Sequence, residues 1–230
     1  MSIPPIGPYA MPDATAAGPA VAPWRPDPAR AALLVHDAQR YFLAPFPPDA
    51  SPGRELRRNL ARLRDTADAT GVPVFYSMQP GDMTTEERGL LRDFWRQGMR
   101  AVPEHRDIVP EAAPRPHHRT VVKWRYSAFH RTDLAELLAA AGRDQLIVCG
   151  VYAHLGCLIT AYDAFSRDLE TFLVADALGD FSGDHHRTAL RTAAASCAVV
   201  LNTAEIATHL GRTGTSSAAA TAAAADTGRK

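Results

Sequence analysis

Four kinds of side chain in this sequence have chemistry to offer: the acid Asp37, the amine Lys123, the thiols of Cys149, Cys157 and Cys197, and nine histidines. An acid can move a proton and an amine can hold an anion. Taken singly, each has a plain structural reading as well. An Asp after an apolar run is a common turn former or helix cap, and a Lys in a strand commonly faces solvent. The histidine pairs His117-His118 and His185-His186 make poor chelators, because neighbours on a helix or strand point in different directions, so they read as solvated surface. His36 alternates to the strand face opposite Asp37 and reads as a hydrogen-bonded core residue.

The elements that must position these groups can be read from the apolar pattern. Runs rich in apolar residues at 31–37, 72–77, 120–124, 145–150, 171–176 and 198–201 predict six strands, the first two of them buried. Helical patterns fall between them, at 53–69 with Leu56, Leu60 and Leu63 on one face, at 84–98, at 132–141, at about 153–167, at 184–196, and up to Leu210. Thr84 and Glu87 form a capping-box pair at the start of the second helix. Gly142 suits the stop of the third. Wholly apolar strands separated by helices predict an α/β fold: a single domain with a six-stranded, mainly parallel sheet and helices on both faces.

In such sheets ligands bind beyond the carboxyl ends of the strands. Asp37 ends the first strand, Gln79 follows the second, Lys123 lies near the end of the third, and Tyr152 to Gly156 follow the fourth. Residues far apart in the chain are therefore expected to meet along one edge.

The flanks differ in character. Residues 1–28 hold eight prolines and predict an extended arm over the surface of the 29–210 domain. Residues 211–230 are Ala, Thr, Ser and Gly with few large apolar side chains, and predict a disordered tail. Twenty-five basic residues balance twenty-five acidic ones. That balance gives no general attraction for nucleic acid or an anionic membrane. An odd cysteine count without a CxxC pair fits a reducing cytoplasm. No run of about 18 apolar residues is present to span a bilayer, and the N-terminus lacks the pattern of a signal peptide.

Five segments carry a resemblance: LLVHDAQRYF (33–42), QPGDMTTEERGLLRDFW (79–95), KWRYSAF (123–129), GVYAHLGCLITAYDAF (150–165) and FLVADALGDFS (172–182). In this order they resemble the isochorismatase family, and within it the stand-alone enzymes of phenazine-type pathways. The family belongs to a wider group of cysteine hydrolases, nicotinamidases among them, with an Asp, Lys and Cys triad. The resemblance places Asp37 and Lys123 at the first two positions and Gly156 at the third, so the acyl-enzyme route loses its nucleophile. Cys157, one residue on, is turned by roughly 100° along a helix and reads as a core thiol. Gly156 lets substrate approach a helix start, whose free N–H groups favour an anion. YSMQPGDM stands where nicotinamidases carry an Asp-x-His metal motif, and neither a metal nor another cofactor is expected.

The resemblance implies the hydrolysis of isochorismate or 2-amino-2-deoxyisochorismate. The enolpyruvyl vinyl ether is protonated on its methylene carbon by Asp37, water captures the oxocarbenium ion, and pyruvate leaves. A carboxyl group ordinarily titrates near pH 3.9, so acid catalysis near neutrality needs an environment that favours its protonated form. Lys123 opposes this until a substrate carboxylate neutralises it. Gln79, Arg88, Lys123, Tyr152 and Gly156 match substrate-contacting positions of the family. Phe42, Trp95 and Tyr126 are candidates for the wall of the ring pocket, with core packing equally open. Gln79 also fits a turn, Tyr152 the core, and Arg88 an exposed helix face. A thiol amidohydrolase using Cys157 and a non-catalytic binding relative are the rival readings. About twenty residues after the core are too few for a fused carrier domain, which tilts the reading towards the amino substrate and a secondary-metabolite pathway. Family members of this type are commonly homodimers.

Overall fold

The computed structural model describes residues 3–211. The predicted tail therefore lies, beyond Gly211, outside the described residues. In chain order the elements are β1 (Ala31–His36), α1 (Arg40–Leu43), α2 (Gly53–Thr70), β2 (Val74–Met78), α3 (Thr85–Arg88), α4 (Leu91–Trp95), α5 (Pro103–Arg106) and β3 (Arg119–Val122). They continue as α6 (Leu134–Ala140), β4 (Gln145–Val151), a wide turn at Ala153–Cys157, α7 (Leu158–Phe165), β5 (Glu170–Gly179), α8 (Gly183–Ser196), β6 (Val199–Leu201) and α9 (Thr203–Leu210).

The six strands form one sheet in the order β3-β2-β1-β4-β5-β6, and every pairing is parallel. The order reverses between β1 and β4, which places a crevice outside their carboxyl ends. Side chains alternate across β1. Leu33 and Val35 join the layer of α2 and α9 through Leu56, Leu60, Leu63, Ile206 and Leu210. Ala32 and Leu34 join the opposite layer with Leu134 and Leu138 of α6 and Leu190 of α8. Burial on both faces is why β1 and β4 are apolar without alternation.

The helix expected over 84–98 is two short helices, α3 and α4. The capping box forms as expected, with Thr84 accepting from the Glu87 N–H and Glu87 from the Thr84 N–H. Gly89, at φ 51°, then breaks the run. The third strand ends at Val122, so Lys123 stands just past it rather than inside. The arm is pinned by Ile6 N–H to Pro45 O, by the Tyr9 hydroxyl at Asp180, and by Ala14 N–H to the Asn202 side chain. It also contains one short 3-10 turn, Ala14–Ala17, where regular structure was not expected.

The histidine pairs depart from the sequence reading. His117 and His118 lie in a turn, where neighbours do converge, and both reach Asp68 Oδ1, at 2.9 and 2.8 Å. Arg115 pairs with the other oxygen. A cation already on this carboxylate makes the cluster a clamp between α2 and the loop before β3, and disfavours a metal. In the second pair His186 is fully buried between the Tyr9 hydroxyl and Ala175 O, while His185 is exposed.

Burial works to raise the pKa of Asp68. Hydrogen bonds from His118 and His117 and the charges of His118 and Arg115 outweigh it and bring the carboxyl to about 2. A depressed folded-state pKa gives stability that is complete above the unfolded value of about 3.9 and lost as pH falls towards 2. Unfolding free energy in urea is expected to drop across that window. Asp68→Asn should be less stable at pH 6 and should lose that part of the slope; an unchanged slope would place the acid sensitivity elsewhere.

Candidate active site

The crevice at the carboxyl ends of β1 and β4 is a pocket, and all nine sequence-predicted residues line it. At its floor Asp37 follows β1 with φ 47°, in the left-handed region that Asp tolerates better than most residues. Its N–H donates to Ser77 O at the end of β2. The Lys123 ammonium lies 2.8 Å from Asp37 Oδ2 and donates to Arg125 O at 2.9 Å. The pair is 5% and 1% exposed respectively, so both charges are desolvated and each depends on the other.

Arg88 ends α3 and is 4% exposed, against the exposed helix face that its amphipathic context allowed. Its Nε donates to Arg96 O at 3.1 Å and one terminal nitrogen to Gln79 Oε1 at 3.1 Å. Gly98 lies against it: φ 76° favours glycine there, and a Cβ would in addition stand 2.7 Å from the guanidinium. Burial pulls the Arg88 pKa down, while Tyr41 and Tyr126 favour the charged form. Among the described residues no carboxylate pairs with Arg88. A buried guanidinium held by neutral acceptors and lining a pocket has the chemistry to pair with an anion.

Gln79 is a positioned residue as well as part of a turn. Its N–H donates to Gln39 Oε1 at 2.9 Å and its carbonyl accepts from Gln39 Nε2 at 2.9 Å. Gln39, fully buried, also donates to Arg106 O. The chain of contacts thus runs from Gln39 through Gln79 to Arg88. Sequence reasoning missed Gln39, although its place two residues after Asp37 was a usable signal.

The walls are aromatic. Phe42 meets Tyr152 edge-on, Trp95 packs against Phe181, and Trp95 Nε1 donates to the Tyr126 hydroxyl at 2.7 Å. The Tyr152 hydroxyl is spent on Phe42 O at 2.8 Å, and burial raises its pKa. Its hydroxyl is thus committed within the protein, and the residue is both buried and part of the pocket lining. Tyr41, Leu91, Leu155, Phe181 and Ile3 of the arm also line the pocket and were not singled out from the sequence. Their signals, single apolar residues on loops and short helices, are indistinguishable from core.

Gly156 is in the wide turn after β4, but the space its missing side chain leaves is taken up by the His36 ring, 2.3 Å from where a Cβ would be. The sequence reading assigned that space to substrate. Cys157 is fully buried, does not line the pocket, and burial raises its thiol pKa well above the ordinary range. A thiolate nucleophile is therefore not available there. Beside the pocket, His154 Nδ1 lies 2.6 Å from buried Asp180, with His185 stacked on the His154 ring.

Comparison with known proteins gives a consistent result. Residues 31–205 match the family profile described as the isochorismatase domain. The phenazine biosynthesis protein PhzD of Pseudomonas fluorescens is 52% identical over 204 residues, covering 89% of this chain and 98% of that protein. The isochorismatase of Bacillus subtilis is 46% identical over 203 residues, 88% of this chain and 65% of that longer protein. Among solved structures, a cysteine hydrolase from Pseudomonas syringae superposes with a TM-score of 0.74 at 26% identity, covering 84% of this chain and 97% of that one.

The buried ion pair makes a direct stability prediction. Lys123→Met leaves the Asp37 carboxylate uncompensated and should destabilise the protein by about 3–5 kcal/mol, read as a shift in the urea midpoint. Adding Asp37→Asn should recover most of that loss. Equal midpoints for wild type and Lys123→Met would mean that the pair is not formed in solution.

Proposed function

This chain belongs to the isochorismatase family, and we propose that it cleaves the enolpyruvyl ether of an isochorismate-type dicarboxylate, with Asp37 as the acid and the released products being pyruvate and a cyclic alcohol. The observation that carries the reading is the charge inventory of the pocket. Its charged lining residues are one carboxylate, Asp37, and two cations, Lys123 and Arg88. Arg88 has no counter-ion of its own, and Lys123 shares its charge with Asp37. Such a site is built for a ligand that brings carboxylates.

The same inventory addresses the need for a protonated acid. A substrate with two carboxylates and no positive charge, which for the amino compound means an amine bound unprotonated, leaves the filled pocket with one excess negative charge. A proton on Asp37 removes it, and the pocket is then neutral. Substrate binding thus favours the form of Asp37 that catalysis requires. The vinyl ether methylene takes that proton and becomes the methyl group of an oxocarbenium ion. Water adds at the cationic carbon and its proton returns to the Asp37 carboxylate; the hemiketal then collapses, the bond from that carbon to the ring oxygen breaks, and the hemiketal O–H proton ends on the leaving oxygen, giving pyruvate and the alcohol. Lys123 holds the enolpyruvyl carboxylate beside the acid, Arg88 holds the second carboxylate, and Gln79 aims Arg88. Gly156, lining the pocket with no side chain of its own, leaves room for the His36 ring at the floor. Phe42, Trp95, Tyr126 and Tyr152 enclose the ring and exclude water, which strengthens each electrostatic contact.

Within that class we assign 2-amino-2-deoxyisochorismate as the preferred substrate, in secondary-metabolite biosynthesis. The high identity to PhzD over almost the whole of that protein supports this. We further assign a cytoplasmic homodimer. Three free, buried cysteines suit a reducing compartment. Leu90 and Phe94, each 78% exposed beside the pocket mouth, suit a subunit contact.

Pyruvate release, coupled to lactate dehydrogenase with EDTA present, tests the reaction. Release is expected from both candidate substrates, with higher kcat/KM for the amino compound and loss of at least about a thousandfold in Asp37→Ala. No release from either compound would rule the reading out. The charge argument has its own check. Calorimetric binding of a non-hydrolysable dicarboxylate analogue at pH 7, in buffers of different ionisation enthalpy, should report uptake of about one proton by the wild type and none by Asp37→Asn. Equal enthalpies across buffers for the wild type would remove Asp37 as the proton carrier.

A further inference from the structure

His36 is a buried ionisable group that the ether chemistry leaves without a task. It ends β1, directly before the acid, and is fully buried. Its Nδ1 lies 2.9 Å from Val151 O and its Nε2 3.2 Å from Tyr126 O. Nδ1 is also 3.8 Å from Asp37 Oδ2. Burial pulls the imidazole down to about 4, against the favourable charge of Asp37, so at neutral pH the ring carries one N–H and donates to one carbonyl at a time. Val151 and Tyr126 both belong to the pocket wall.

The remaining edge of the ring faces Gly156. A Cβ at that position would stand 2.3 Å from His36 Cε1, 3.0 Å from Nε2 and 3.1 Å from Nδ1. Contacts that short cannot be held, so a side chain at 156 and the imidazole exclude each other. The backbone does not ask for glycine here, because Gly156 is not at positive φ. What demands glycine is the histidine. The resemblance implies that position 156 is where a thiol-using hydrolase of this fold would carry its nucleophile.

We propose that His36 is the specificity-determining residue of this pocket: its imidazole takes the volume a side chain at position 156 would need, and its single N–H, given to Val151 O or to Tyr126 O, sets the floor beside Asp37, so that thiol-free ether chemistry and nucleophilic thiol chemistry are mutually exclusive here. His36 acts as a positioning residue, through Asp37 and the wall. The kinetic part rests on the ether-hydrolase reading; the packing part does not.

The test is a double-mutant cycle of His36→Ala and Gly156→Ala, read by thermal midpoint and by pyruvate-release kinetics. Gly156→Ala alone should lower the midpoint and reduce kcat/KM at least about tenfold. In the His36→Ala background the same change should cost less than about twofold, because the space is free. Independent, multiplying effects would overturn the exclusion. If His36→Ala does not fold, the cycle is run on His36→Asn, which is smaller and keeps one N–H donor. His36→Asn should itself lower kcat about tenfold with KM within about threefold, since Arg88 and Gln79 are untouched. A wild-type kcat in folded His36→Asn would reduce His36 to a packing residue and end the specificity role. Should the wild type release no pyruvate, the ether reading fails while the thermal cycle still decides the exclusion.

Discussion

Taking Asp37 and Lys123 out of water costs several kcal/mol for each charge, and their mutual attraction offsets this only with good geometry and further hydrogen bonds. Much of the crevice can be understood as meeting that condition. The two residues follow strands that are not neighbours: β2 lies between β1 and β3. Lys123 is anchored across the gap by its N–H to Met78 O, and Asp37 by its N–H to Ser77 O, so the end of β2 serves as a common ruler for both. Only a long side chain can cross from there. The turn of the backbone at Asp37, out of the strand direction, aims the carboxylate to meet it. A pair so held is costly as a stabilising device and useful as a functional one, because any anion entering the pocket changes its balance.

A second charge sharpens the point. Arg88 is buried on backbone carbonyls and an amide rather than on a carboxylate. Neutral acceptors orient a guanidinium without cancelling its charge. The protein therefore keeps one cation compensated and one not in the same pocket. On the reading proposed above, that asymmetry leaves Asp37 as the group on which the proton requirement of a bound dicarboxylate falls. Gln39 contributes no charge, yet it fixes both sides of the Gln79 peptide and so the partner of Arg88.

The sheet was legible because burial on both faces leaves an unbroken apolar run at each of its inner strands, and because helices must intervene between parallel strands. The convergence of Asp37, Gln79, Lys123 and Gly156 was legible for the same reason: strand ends in such a sheet share an edge. The break at Gly89 was not, since the pattern of 84–98 is helical on either side of it and one glycine within a helix is tolerated at about 1 kcal/mol. The burial of Arg88 was hidden with it, because a straight helix would have left that face to solvent. The convergence of His117 and His118 on Asp68 escaped a rule that holds for helices and strands but not for turns. Ile3 and Phe181 reach the pocket by tertiary routes that no local pattern encodes.

The pairing of His36 with Gly156 shows a limit of a different kind. Each residue has a sufficient explanation in isolation, one as a core histidine and the other as a small residue near an anion site. Their dependence on each other exists only in three dimensions, 120 positions apart. The consequence is that the space beside Gly156 is not empty: it is filled by the His36 ring, whose one N–H goes to Val151 O or to Tyr126 O, both in the wall. The two positions are therefore coupled: a side chain at 156 requires a change at His36 as well, and the cost of either change depends on the other.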